Sequence, residues 1–166
     1  MGCDVHVEAF EFVTRAARVV PSPQRVLEVG ARNVNGSARD AWPADTPWLG
    51  VDLLAGDGVD VVADFATAHI DGPFDLVVCC EVFEHARNVA ALVDRMIDVL
   101  RPDGYLLMTC ATDGRVPHGA DGGGVRAGEW YRNVAPWELV REDLDPIISE
   151  VHGSRGDLYV LGQKVA

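Results

Sequence analysis

The chain has 166 residues, 48% of them hydrophobic, and a formal net charge of −12. That length predicts one domain with a true core, and the acidity, with no Lys/Arg run to relieve it, makes long nucleic acid a poor partner. No stretch approaches the roughly 18 uninterrupted apolar residues of a membrane-spanning helix, and the start MGCDVHVEAF lacks a signal-peptide pattern, so no membrane partner is expected.

Four cysteines stand at 3, 79, 80 and 110, none with C-x-x-C metal spacing. They read as small buried hydrophobes in a reducing, cytoplasmic compartment. Asp4–Val20 is expected to form a helix, because Phe10, Val13, Ala17 and Val20 recur at spacings of three and four. Pro21 and Pro23 stop it.

Arg25 to Asp52 then reads as strand, tight loop, short helix, strand, with an acidic residue at each strand end. Arg25–Val29 is an apolar run containing Glu28, Gly30 and Gly36 bracket a polar turn, and Ser37–Trp42 is helix-compatible. Trp48–Val51 is the second run, closed by Asp52. A buried strand feeding a glycine-containing turn and a helix makes a nucleotide cradle. Gly30 lets backbone approach a ligand with no Cβ in the way, and helix amides supply donors. Asp52, 24 residues after Glu28, is placed to accept from ribose hydroxyls.

Val59–Ala63 is expected as a third strand, followed by Asp64 and Phe65. Two readings of Asp64 stand together: holding an adenine amine with an apolar neighbour on the ring, or capping the segment Phe65–His69. Phe74–Cys80 (FDLVVCC) has the continuous apolar character of a central parallel strand. The next helix carries the stripe Val89, Leu92, Val93, Met96, Ile97 and Leu100, and Arg101–Gly104 ends it. Tyr105–Cys110 is a further strand. Thr112–Gly128, with six glycines and no periodicity, reads as a long loop. Pro136–Leu144 is expected to be helical, and Ile147–Val151 with Asp157–Gln163 to form a terminal antiparallel hairpin. The domain thus divides into an N-terminal helix (1–20), a core (25–110), a loop (111–135) and a helix with terminal hairpin (136–166).

Four places in register resemble the class I S-adenosylmethionine-dependent methyltransferases, of the compact generic methyltransferase-domain type: VLEVG at 26–30, GVD at 50–52, FDLVVCCEVFEH at 74–85 and LRPDGYLL at 100–107. The resemblance covers roughly Arg25–Gln163. It implies an α/β fold, a Rossmann-like doubly wound seven-stranded sheet, mostly parallel with an antiparallel C-terminal hairpin strand, and S-adenosylmethionine as cofactor. By this resemblance Glu28 and Gly30 line the methionine end of the cofactor, with Asn33, Asn35 and Gly36 nearby. Asp52 takes the ribose hydroxyls and Leu53 packs beside the adenine, which Asp64 and Phe65 hold. Glu81 sits near the transferring methyl. Arg32 stands where the family's G-x-G-x-G loop has its second glycine, so its side chain is expected to point out of the cleft.

Methyl transfer from a sulfonium needs position and a desolvated cleft, with a base only where the acceptor must lose a proton. His85 and Glu84, just past the fourth strand motif, are the expected catalytic pair, with His118 and Tyr131 as further candidates. His85 also reads as a residue packing against the following helix, and His118 as exposed loop. Trp130 and Tyr131 read equally as pocket wall and as core. Glu81-x-x-Glu84-His85 has the donor types for a divalent cation. The same pattern occurs in family members with no known metal, so no metal is expected. The acceptor is expected to be a small molecule or an exposed side chain. A cofactor-binding module without catalysis is the alternative; a nicotinamide-dependent oxidoreductase fits less well, since LRPDG and E-x-x-E-H have no role in one.

Overall fold

The computed structural model describes residues 2–3 and 6–166. In chain order the elements are β1 (Gly2–Cys3), α1 (Val7–Val19), β2 (Val26–Val29), β3 (Arg32–Asn33), β4 (Trp48–Asp52), β5 (Val61–Val62), β6 (Phe74–Cys80), α2 (Val89–Asp98), β7 (Leu100–Ala111), β8 (Leu144–His152) and β9 (Asp157–Lys164). Seven strands form one sheet in the order β5-β4-β2-β6-β7-β9-β8. From β5 to β7 all pairings are parallel; β9 runs antiparallel between β7 and β8. This is the doubly wound, mostly parallel α/β sheet with an antiparallel C-terminal hairpin that the sequence pattern implies. The short β1 pairs separately with β3. Among the described residues, no helix is long and apolar enough to cross a membrane.

Central strands are apolar at consecutive positions because both faces are covered. Val26, Leu76, Val78, Leu107 and Tyr159 pack on α1, through Phe12, Val13 and Ala16. Leu27, Val77, Cys79, Leu106 and Met108 join α2, through Val89, Val93 and Met96, on the other face. Cys79, Cys80 and Cys110 are free and buried in these layers.

Element boundaries shift where local chemistry overrides the pattern. The first helix starts one residue after His6, whose ring accepts from the Ala9 amide at 3.3 Å; Asp4 and Val5 lie outside the described residues. The helix expected over Ser37–Trp42 is a single 3-10 turn, Ala38–Ala41, capped by Ser37. Pro43 explains this, because proline holds the preceding Trp42 extended, at φ −115° and ψ 163°. The third strand shrinks to Val61–Val62, as the edge strand meets β4 only at Val51 and Asp52. The fifth expected strand lengthens to start at Leu100, opposite Phe74. A register shift between Phe74 and Leu76 absorbs the Arg101–Gly104 bend, where Asp103 has φ +60°. Only Pro136–Leu139 is helical in the expected helix Pro136–Leu144, because β8 already begins at Leu144, opposite Lys164.

Candidate functional site

Three strands of the parallel sheet end side by side, and each delivers a predicted residue to its carboxyl edge: β2 at Gly30, β4 at Asp52, β6 at Glu81. Ligands of open α/β sheets bind along this edge. Gly30 turns the chain at φ +79°, and a Cβ there would stand 2.2 Å from Val82 Cγ2, so no side chain fits. The Gly30 and Ala31 amides both donate to the Val51 carbonyl, at 2.9 and 3.2 Å, locking the loop to β4. Asp52 is 3% exposed; its carboxylate accepts from the Arg32 amide at 3.2 Å and the Leu54 amide at 2.9 Å. Leu53 beside it is 44% exposed, an apolar surface next to the Asp52 carboxylate. Asn33, Asn35 and Gly36 form the rim, where the Asn33 side chain accepts from the Gly36 amide at 3.0 Å.

Several predicted residues have local duties here. Glu28 is buried and accepts from Arg39 Nε at 2.6 Å, while Arg39 also donates to the Gly58 carbonyl at 2.6 Å. Burial pushes Glu28 up to about 7 despite the guanidinium. Glu28 therefore fastens the 3-10 turn to the sheet. That turn is too short to supply the row of helix amides expected after the loop. Asp64 is exposed and accepts from the Ala66 amide at 3.0 Å, the capping reading. Phe65 is only 4% exposed and gives its ring to the core, under Arg95, rather than to an open adenine face. The Arg32 side chain, 19% exposed, lies over Gly56, where an added Cβ would meet its Cγ at 2.8 Å, and it pairs with Asp121 of the glycine-rich loop, which also binds Arg126 at 3.0 Å.

The far end of the edge is acidic and buried. Glu81 has φ +53°, a conformation costly for a side-chain-bearing residue, and its amide donates to the Thr109 carbonyl at 2.8 Å. Neither of its carboxylate oxygens has a hydrogen-bond partner among the described residues. Burial first, then the nearby Glu84, pushes the Glu81 carboxyl up. Glu84 is fully buried; Oε1 accepts from the Ala111 amide at 3.3 Å and Oε2 has no hydrogen-bond partner among the described residues. Burial raises its carboxyl too. His85 is 8% exposed, with Nδ1 against the Trp130 carbonyl at 3.3 Å, and burial pushes its imidazole down.

His118, expected to be exposed, is instead brought in by the loop. Its ring meets those of His85 and Tyr131 edge-on, at 5.4 and 4.9 Å, and its Nε2 lies 3.8 Å from Glu84 Oε1. Tyr131 donates to Asn133 at 2.9 Å, and burial pushes its phenol up, which removes it as a base. Local spacing misses a second group altogether. Asp157, buried at the start of β9 opposite Ala111, accepts from Arg115, pairs with His6 at 3.4 Å and accepts from the Tyr159 hydroxyl at 3.1 Å. His6 is raised, chiefly by its hydrogen bond to Asp157. Arg115 then reaches Glu81 at 4.0 Å. An acidic residue opening the last strand, level with the end of β7, is the one sequence signal for this group.

The methyltransferase-domain family matches residues 4–144. A ubiquinone biosynthesis O-methyltransferase of Shewanella pealeana is 29% identical over 89 residues, 52% of this chain and 37% of that protein. The chain therefore matches well under half the length of this curated relative. Among solved structures, the N-methyltransferase NodS of Bradyrhizobium japonicum, in complex with S-adenosylhomocysteine, superposes with a TM-score of 0.68 at 15% identity, over 95% of this chain and 86% of that one. An S-adenosylmethionine-dependent methyltransferase of Clostridium acetobutylicum gives 0.67 at 12% identity, over 98% and 96%. At these identities the structural likeness is one of fold. With the family match spanning most of the chain and the same sheet beneath it, this protein belongs to the methyltransferase-domain family, on the class I S-adenosylmethionine-dependent methyltransferase fold.

Proposed function

We propose that this chain binds S-adenosylmethionine along Gly30, Asp52 and Glu81 and transfers its methyl group in line to a small molecule or an exposed side chain. The observation that carries this reading is Glu81: a carboxylate 2% exposed at the exit of the central strand, whose oxygens have no hydrogen-bond partner among the described residues, with the Arg115 guanidinium no nearer than 4.0 Å. A buried carboxylate is expensive unless a positive charge meets it. S-adenosylmethionine supplies that charge, together with a methyl group already activated on a sulfonium. The rest of the edge fits the same ligand: Gly30 leaves backbone bare, and Asp52 sets a buried carboxylate at the end of β4. Leu53 offers apolar contact to the base, with Asp64 at the margin, and Glu28 holds the loop behind.

On the acceptor side, Glu84 and His85 handle the proton, joined by His118. Burial keeps His85 neutral at neutral pH, and its Nδ1, against Trp130, leaves Nε2 as the accepting nitrogen. Tyr131 walls the space. The proteins this chain is similar to include, by name, a ubiquinone biosynthesis O-methyltransferase and an N-methyltransferase; a small acceptor also suits a chain of net charge −12, which disfavours nucleic acid. Three free buried thiols suit a reducing cytoplasm.

Titration calorimetry tests the reading. Micromolar binding of S-adenosylmethionine or S-adenosylhomocysteine is expected, with none of NAD. Asp52→Ala should weaken it by tenfold or more, since hydrogen bonds to a charged group contribute about 1.5–3 kcal/mol each. A chain that takes up neither sulfur ligand sinks the proposal.

A further inference from the structure

We infer that Glu84, His85 and His118 form a binding site for one divalent transition-metal ion on the acceptor side of the methyl-transfer cleft. Each offers a ligand atom, and these atoms all lie within 4.8 Å of one another. Glu81, the first carboxylate of the E-x-x-E-H pattern, stands outside this group. The pattern alone therefore misidentifies the donor set: its first member drops out, and a histidine 33 positions beyond His85 takes its place.

Two independent features point to a cation rather than to ring packing. The first is the orientation of the imidazoles. His85 Nδ1 lies 3.3 Å from the Trp130 carbonyl and His118 Nδ1 lies 3.3 Å from the Val116 carbonyl. A carbonyl accepts only, so each Nδ1 carries the proton and each Nε2 is the basic nitrogen. A metal-bound histidine is set up by this same outer hydrogen bond. The second feature is Glu84, 0% exposed, with Oε1 held by the Ala111 amide and Oε2 without a partner among the described residues. Edge-on packing of His85, His118 and Tyr131 explains why the rings touch. It does not explain a buried carboxylate facing an imidazole nitrogen.

The donor set selects the ion. Two imidazoles and one carboxylate suit zinc, cobalt or ferrous iron over magnesium, which prefers oxygen alone. Donors held about 2.0–2.2 Å from such an ion lie up to about 4.4 Å from one another, so a set whose atoms lie within 4.8 Å closes on the ion with small side-chain adjustments. Three protein ligands leave a position open.

The open position fits the oxygen of a hydroxyl-bearing acceptor, and this step rests on the methyltransferase reading above. A bound cation lowers the pKa of a coordinated hydroxyl. With the ion bound, Glu84, His85 and His118 are its ligands and no longer take the proton: the O–H bond breaks with its proton passing to water, the oxygen forms the O–C bond as the S–C bond breaks, and the sulfonium leaves as a neutral thioether.

Calorimetry with Zn2+ and visible absorption with Co2+ on the chelator-treated full chain test the site. One ion per chain with micromolar affinity is expected, with Co2+ bands of nitrogen and oxygen ligation rather than the intense thiolate bands that cysteine would give. His118→Ala should weaken binding tenfold or more, and Glu84→Gln should do the same, with the fold of both variants checked by circular dichroism. No binding, thiolate bands, or full binding in His118→Ala overturns the inference. S-adenosylhomocysteine is titrated in parallel: uptake of it without the ion sinks the metal site alone, and uptake of the ion without it sinks the donor reading alone.

Discussion

Glu81 joins a left-handed backbone, φ +53°, just past the end of β6, to a carboxylate with no hydrogen-bond partner among the described residues. Its carboxyl and those of Glu84 and Glu28 are all raised in the folded chain, each chiefly by burial. Such groups bind more protons folded than unfolded between the ordinary value of 4.5 and the folded one, which for Glu28 is about 7. Stability is then greatest below the unfolded value and is lost as pH rises through the folded values. The ligand-free protein should therefore unfold at progressively lower temperature from about pH 5 to about pH 8. Glu81→Gln has no charge to bury. It should flatten that decline and stabilise the ligand-free chain at the alkaline end by about 1–3 kcal/mol, while weakening S-adenosylmethionine, whose sulfonium loses its counter-charge. Parallel melting curves for the two proteins across this range would refute the account of Glu81.

The cradle depends on how β2 and the β6 exit meet. Gly30 packs against Val82, the residue after Glu81, so the loop's shape and the acid's position are one contact. Gly30→Ala must push Val82 aside at 2.2 Å and hold a Cβ at φ +79°. The expected cost is about 2–4 kcal/mol, and cofactor affinity should fall with it, because Val82 carries Glu81. Equal affinity in a destabilised Gly30→Ala would separate the two effects and break this coupling. The Arg32–Asp121 pair is a contrasting case at the same scale. It is part-exposed and ties β3 to the 112–128 loop. Asp121→Ala should leave melting nearly unchanged, since exposed pairs contribute about 0–1 kcal/mol, yet speed amide exchange through the glycine-rich loop. Unchanged exchange there would mean the loop is held by its own turns.

Across the whole molecule, the parts legible in the sequence are those that depend on neighbours along the chain. Phe74–Cys80 reads as a central strand because both its faces are buried, and the places of Gly30, Asp52 and Glu81 are legible because Asp52 ends a strand and the other two follow one. Phe65 and His118 are not legible in that way. Whether a ring after a turn faces ligand or core, and whether a loop histidine folds inward, depends on chain far away in sequence. The same holds for the group of His6, Arg115 and Asp157, drawn from the start, middle and end of the chain. That group makes α1 more than a cover. The helix buries one sheet face, with Phe12 stacked on Tyr159 at 5.1 Å, and its cap residue His6 holds Asp157 at the mouth of the cleft. Phe12→Ala, at a site with 0% exposure, should cost about 3–5 kcal/mol. For a chain of this length that lowers the melting temperature by roughly 6–20 °C. S-adenosylhomocysteine at a hundred times its Kd adds about 2.7 kcal/mol to any variant whose site is intact. Phe12→Ala should recover less than this, because α1 loosened from Tyr159 also frees His6 from Asp157, and Arg115 beside Glu81 with it. Full recovery in a thermal shift assay would show that the helix covers the sheet without steadying the cleft.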